Sequence, residues 1–271
     1  MRYMVSAGDE IELYDLTRQR LHIALVGQLP AAANIAATLT AYAYWVCSAV
    51  QQRGADWETT LREYSGYALR DAARDTEAEQ AEFALLRRAL RQAVSTAGAG
   101  GRLLDVGAGW GRMAALYGET GWRPIYLEPS SLGVRLMRRD GLRQVTAARG
   151  EALPFAAGTF TAVLIGWVLH HHSAELDAAR MVAQVARVLA PGGWLFSIEP
   201  LRPGFDMGRW HKLLTQAGIT VGETHEFYQM PDSRGNLESH TLVVGQKRKA
   251  SPASSCTQEE RPQASDAQEI H

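Results

Sequence analysis

Residues 103–113 read LLDVGAGWGRM, an apolar run that breaks on three alternate glycines, Gly107, Gly109 and Gly111, and passes into the helical pattern RMAALYG. Glycine tolerates positive φ and has no Cβ, so such a turn can bend sharply and let a ligand approach the backbone. A strand running through this turn into a helix also aims the helix's first amides at that ligand. The feature therefore predicts one βα unit of a parallel sheet, with a binding site at the carboxyl end of its strand. Dinucleotide-binding turns space their glycines as G-x-G-x-x-G, whereas Arg112 stands here where the third glycine would fall.

The flanking pattern repeats the unit. Short apolar runs at 102–106, 124–127, 144–147, 160–166 and 194–198 alternate with helical stretches at 112–118, 132–139 and 173–189. In the last stretch Leu176, Ala179, Val182, Val185 and Leu189 share one face. Buried strands between amphipathic helices predict a doubly wound, Rossmann-like α/β fold with both sheet faces covered. Further on, a helix is expected over 205–217 and ends at Gly218. Two strand-like runs at 221–230 and 240–246, joined by the turn-rich PDSRGN, should add an antiparallel hairpin and complete a seven-stranded, mostly parallel sheet.

Residues 1–98 read as helical, most clearly over 76–94, where Phe83, Leu86, Leu90 and Val94 recur at intervals of three and four. They are expected to form an N-terminal helical cap and substrate-binding region, 1–98. A core domain, 99–247, follows, and then a tail, 248–271, too poor in apolar residues to offset its ordering entropy.

Charge narrows the partners. With 28 Lys and Arg against 29 Asp and Glu, the 271-residue chain has a net charge of −1 and no excess of positive charge to hold a nucleic-acid backbone. Its two cysteines, Cys47 and Cys256, have no metal-ligand spacing, and no secretory leader pattern opens the sequence, so a cytoplasmic location is expected. Residues 21–52 contain no Asp, Glu, Lys or Arg, a length that could span a bilayer. Alanine dominates that run, however, and Gln28, Pro30 and Asn34 interrupt it, so a buried helix or pocket wall is expected rather than stable membrane insertion.

Glu128 ends the second apolar run, PIYLE. In an open α/β sheet a carboxylate there reaches the crevice beside the first strand and can accept both hydrogen bonds of a ribose diol. With this residue a resemblance becomes plain. Residues from about 101 to 200 resemble class I S-adenosylmethionine-dependent methyltransferases, the group that includes ubiquinone and menaquinone C-methyltransferases. Four blocks match in order: LLDVGAGWGR, YLEPS, GEALPFAAGTF, and VLHHH followed by RVLAPGGWLFSIEP.

The resemblance implies roles. Asp105, Gly107, Ala108 and Gly109 would face the methionine part of S-adenosyl-L-methionine, and Glu128, with Pro129 beside it, would bind the ribose. Gly150, Glu151 and Ala152 would follow the adenine edge, with Leu153 packing nearby, and Trp167 would sit near the sulfonium. Two positions depart from the family pattern. Arg149 stands where relatives carry an aspartate for the adenine amino group, leaving a backbone carbonyl or Glu151 for that contact. Residues 160–163 read F-T-A-V instead of F-D-x-V.

The triplet His170-His171-His172 does not read as a metal site, because adjacent side chains on regular backbone cannot converge on one ion. A structural role competes with one in which His170 or His171 takes a proton from an acceptor hydroxyl. The acceptor is expected to be a small apolar or aromatic molecule, since Tyr42, Tyr44, Trp45, Trp57, Tyr64 and Tyr67 crowd the region before the sheet. O-, N- and C-methylation stay open, as does the oligomeric state. The rival readings are a non-catalytic S-adenosylmethionine-binding protein, an enzyme using that cofactor for aminocarboxypropyl transfer, and a nicotinamide-dependent oxidoreductase.

Overall fold

The computed structural model describes residues 2–5, 10–14, 20–24, 74–98, 100–171, 175–231 and 237–249. Seven strands form the central sheet: β4 (Arg102–Val106), β5 (Arg123–Leu127), β6 (Val145–Thr146), β7 (Phe160–Gly166), β8 (Leu189–Leu201), β9 (Ile219–Pro231) and β10 (Leu237–Lys247). Their order is β6-β5-β4-β7-β8-β10-β9. The first five are parallel, while β10 runs antiparallel to both β8 and β9. The order reverses at β4, between β5 and β7, which creates a crevice at the carboxyl ends of the strands.

Alternation along the strands supplies two cores. Leu104, Val106, Val163, Ile165, Leu195 and Val243 point to one face. There they meet Val182 and Val185 of α4 (Glu175–Val188) and Trp210 and Leu214 of α5 (Met207–Gln216). Their neighbours Leu103, Ala162, Leu164, Phe196, Leu242 and Val244 point to the other. That face is covered by Leu86 and Leu90 of α1 (Arg74–Ala97), Tyr117 of α2 (Ala114–Thr120) and Met137 of α3 (Ser131–Arg139). Strands that feed apolar side chains to both faces read as continuous apolar runs, which is the pattern seen in the sequence.

Local chemistry sets the helix ends. Gly121, at φ 81°, caps α2 in the left-handed region and turns the chain into β5. The Asp206 carboxylate accepts from the Arg209 amide at 2.8 Å and opens α5.

Residues 2–5, 10–14 and 20–24 correct the helical expectation for 1–98 where they fall. Arg2–Val5, Glu10–Tyr14 and Arg20–Ala24 (β1, β2 and β3) form an antiparallel three-stranded sheet, with Ile11 opposite Ile23 and Leu13 opposite Leu21. EIELY and RLHIA alternate apolar and polar residues with period two, a strand period that the helical reading passed over. The helix over 76–94 does form, as α1. The apolar run 25–52, the aromatic residues 42–67, both cysteines, His172 and the tail from 250 lie outside the described residues. Among the described residues, no helix is long and apolar enough to cross a membrane, and no group of three or more His, Cys, Asp or Glu could hold a metal ion.

Candidate active site

The glycine turn sits at the carboxyl end of β4, and its amides point inward. Gly107 and Ala108 both donate to the Leu127 carbonyl, at 2.8 and 3.0 Å, and Gly111 donates to the Ala108 carbonyl at 2.9 Å. Gly109 donates to Oε2 of Glu128 at 2.8 Å, while Oε1 of Glu128 accepts from the Ser130 amide at 2.7 Å. Gly107, Gly109 and Gly111 all have positive φ. The amides of Gly107, Ala108, Gly109 and Gly111 are thus used by protein acceptors, which holds the turn in shape. Beside the turn stand two buried carboxyls, Asp105 and Glu128. That suits a cationic ligand carrying hydroxyl donors better than a pyrophosphate, so the residues fit S-adenosylmethionine.

Asp105 is buried and accepts a 2.8 Å hydrogen bond from the Tyr117 hydroxyl. Burial pushes its pKa up from 3.8 to about 7, against the opposing pull of the Tyr117 hydrogen bond and the Arg112 charge. Pro129 is exposed beside the buried Glu128.

The second arm of the candidate cofactor site is the loop 149–153. Gly150 is required for packing, because a Cβ there would come within 3.0 Å of three side-chain atoms of Met181. Arg149 is 73% exposed and leans on Glu151 at 3.9 Å, so its charge turns to solvent. Its carbonyl accepts from the Ala152 amide at 3.1 Å, closing a tight turn with Ala152 exposed and Leu153 buried in the core. Arg187 on α4 secures the loop from below, donating to the Phe155 and Leu153 carbonyls at 2.7 and 2.9 Å.

Across the crevice, α1 contributes Glu82, which is 3% exposed. Its carboxylate accepts both terminal nitrogens of Arg112, at 2.9 and 2.8 Å, and the indole N–H of Trp167 at 3.0 Å. One carboxylate thus joins the first helix to the glycine turn and to the end of β7. Trp167 is, among the described residues, the one non-glycine residue with positive φ, 61°. Such backbone costs about 1–3 kcal/mol. The Trp167 amide bond to the Ile198 carbonyl, at 2.7 Å, and the indole bond to Glu82 hold it there.

His170 and His171 belong to a short 3-10 turn, Leu169–His171, that follows Trp167. Nδ1 of His170 lies 2.6 Å from Oε2 of Glu199. The Glu199 carboxylate, wholly buried in β8, also accepts the amides of Val168, Leu169 and His170 at 3.1, 2.8 and 3.3 Å. Burial raises the Glu199 pKa from 4.5 to about 7, opposed by those three amides. The His171 ring is tilted against that of His170, with centroids 3.8 Å apart.

Asp105, the glycine turn and Glu128 therefore gather at one crevice, and Trp167 and His170 stand at its β7 side. Sequence reasoning missed Glu82, Tyr117, Arg187 and Glu199. Two had a readable signal. Glu82 lies one turn before Leu86 on the apolar face of α1, and Glu199 ends the apolar run WLFSIE.

Comparison with known proteins agrees with this fold. Residues 104–197 match the family model described as "Methyltransferase domain". The ubiquinone/menaquinone biosynthesis C-methyltransferase of Klebsiella pneumoniae is 32% identical over 149 residues, covering 48% of this chain and 57% of that protein. The Escherichia coli enzyme of the same name is 29% identical over 153 residues, covering 49% and 59%. The match thus spans less than two thirds of these relatives' length. Two solved structures share the fold, each with a TM-score of 0.50. The [4+2]-cyclase SpnF is 16% identical, over 60% of this chain and 82% of that one. A putative sarcosine dimethylglycine methyltransferase from Galdieria sulphuraria is 15% identical, over 66% and 88%. Sequence blocks, strand order and family match converge: residues 104–197 carry a methyltransferase domain on a Rossmann-like sheet, similar in sequence to the ubiquinone/menaquinone C-methyltransferases.

Proposed function

We propose that the protein transfers a methyl group from S-adenosyl-L-methionine to a small apolar or aromatic acceptor. The observation that supports this most is the glycine turn at the carboxyl end of β4, held by four internal amide bonds with the buried carboxyls of Asp105 and Glu128 beside it. Asp105 and the backbone at Gly107, Ala108 and Gly109 would hold the methionine end, Glu128 and Pro129 the ribose, and Gly150, Glu151 and Ala152 the adenine edge. Trp167 would wall the sulfonium with its ring.

The bound cofactor supplies an electrophilic methyl group, and the chain's own residues orient, exclude water and move a proton. Alignment of two reactants can contribute about 7–11 kcal/mol to such a displacement. The clamp of Glu82 on Arg112 and Trp167 keeps the turn and the indole in one arrangement for that purpose. His170 would take the acceptor's proton. With Glu199 ionised, Nδ1–H of His170 donates to it, which makes Nε2 the basic nitrogen. His171, whose ring is tilted against that of His170, would steady it or share the task. The active region 99–247 would form the catalytic core, with 1–98 shaping the acceptor side and 248–271 as a tail, in a cytoplasmic protein.

Binding alone does not establish transfer, since a protein with this fold is a [4+2]-cyclase. The test is twofold. S-adenosylhomocysteine should bind in calorimetry, and incubation of S-adenosylmethionine with candidate aromatic acceptors should give products heavier by one methylene. No binding of S-adenosylhomocysteine at millimolar concentration would refute the proposal. Binding with no methylated product across a broad acceptor panel would favour a non-methylating role.

A further inference from the structure

His240 lies on β10 opposite Pro200, near the carboxyl end of β8, and so at the same edge of the sheet as Trp167. It is 5% exposed. Its ring packs edge-on to Trp167, with centroids 4.7 Å apart, and against Tyr228 and Phe227 at 5.7 and 6.0 Å. Nδ1 of this ring is buried and has no hydrogen-bond partner among the described residues. A buried polar atom left unsatisfied costs about 1–3 kcal/mol and calls for a ligand or other explanation. Burial holds the ring neutral, lowering its pKa from 6.5 to about 4, with the nearby Glu82 opposing and His170 reinforcing the shift.

We infer that His240 is an acceptor-binding residue whose Nδ1 hydrogen-bonds a hydroxyl on a planar, uncharged ring held against Trp167, Phe227 and Tyr228. This rests on the methyl-transfer reading above and assigns a polar contact within it. The aromatic surround favours a flat apolar body, and a neutral imidazole nitrogen favours a hydroxyl over a charged group. Because Trp167 touches both His240 and His170, at 4.7 and 6.2 Å between centroids, the hydroxyl would be held within the same small region as the proposed base. His240 would set which ring is accepted, while His170 would move the proton.

The full chain, saturated with S-adenosylhomocysteine, is titrated calorimetrically with 4-nitrophenol and with nitrobenzene, which lacks the hydroxyl, at about pH 6. The parent should prefer 4-nitrophenol about tenfold, the effect of one satisfied hydrogen bond. H240F should lose that preference and keep its affinity for nitrobenzene, and H240Q should recover part of the preference. Independently of any variant, 4-nitrophenol should shift the Nδ1 resonance of His240 in ¹⁵N-histidine-labelled parent, and nitrobenzene should not. Equal affinities in the parent, failure of both rings to bind, survival of the preference in H240F, or an unmoved Nδ1 resonance would each overturn the inference. Failure of S-adenosylhomocysteine itself to bind would instead overturn the methyl-transfer reading.

Discussion

Nδ1 of His170 and Oε2 of Glu199 stand 2.6 Å apart, and the same carboxylate gathers three consecutive amides, from Val168 to His170. Glu199 therefore fixes the turn after β7 and the orientation of the imidazole together. Glu199→Gln keeps the size and can still accept amides, but cannot hold a charged imidazole as well. Turnover should fall at least about tenfold, the scale of losing a charge-assisted bond, with the cofactor KM nearly unchanged. The parent's turnover should rise as pH climbs through about 7, where Glu199 ionises, and this rise should be absent in the variant. A pH–rate profile of both proteins, together with H170A, decides it. A parallel loss of cofactor affinity would mark a purely structural role.

Gly133 on α3 is packed against the candidate cofactor turn. A Cβ there would lie 2.5 Å from the Gly109 carbonyl oxygen and 2.7 Å from Cγ of Glu128. Neither the backbone oxygen nor the bonded carboxylate can yield cheaply. Gly133→Ala should destabilise the chain by about 1–3 kcal/mol, the usual cost of overpacking, and weaken S-adenosylhomocysteine binding. Urea unfolding and calorimetry measure the two effects.

Glu128→Ala removes the acceptor of the Gly109 and Ser130 amides. Affinity for S-adenosylhomocysteine should drop by at least about tenfold through the lost ribose contact and a looser turn. Glu128→Gln can still accept from one amide and should lie between the variant and the parent. Unchanged affinity in the alanine variant would remove Glu128 from the ribose site.

Glu82→Ala would leave the Arg112 guanidinium, whose side chain is 23% exposed, without its bidentate partner. Loss of one member of a fully buried pair costs about 3–5 kcal/mol. With Arg112 partly hydrated, a loss on the order of 2–3 kcal/mol is expected. The Trp167 fluorescence should shift as well, since its indole N–H loses an acceptor.

Asp105 has a pH signature. Its folded pKa, about 7, exceeds the unfolded 3.8, so between about pH 4 and pH 7 the folded chain keeps a proton that the unfolded chain has lost. Its contribution to stability is full below pH 4 and is lost as pH rises to 7. Asp105→Asn can still accept from Tyr117 but does not titrate. Relative to the parent it should therefore gain stability as pH rises through that window. Urea midpoints of both proteins at several pH values between 4 and 8 would show it.

Much of this is legible in the sequence alone. The apolar runs marked β4, β5, β7 and β8 because parallel strands buried on both faces carry an undiluted pattern. The glycine turn, Glu128 and the hairpin of β9 and β10 were equally visible. Residues 2–5, 10–14 and 20–24 do not read as strands in the sequence, because strands of four and five residues give few periods to count. The partners of the site were hidden for another reason. Glu82 with Arg112, and His170 with Glu199, are joined across 30 and 29 positions of chain, and nothing local announces such a meeting. Likewise, no motif pairs His240 with Trp167.

The reversed direction of β10 has a consequence for the order in which the molecule is made. Residues 105–152, which supply the candidate cofactor side, are nearly contiguous and can come together as soon as β4, β5 and β7 have left the ribosome. Trp167 and His170 then wait for Glu199, and His240 arrives only with the last strand of the sheet. At about 5–20 residues per second, seconds separate these events. A nascent chain could thus hold its nucleoside before it has anywhere to put the molecule to be modified.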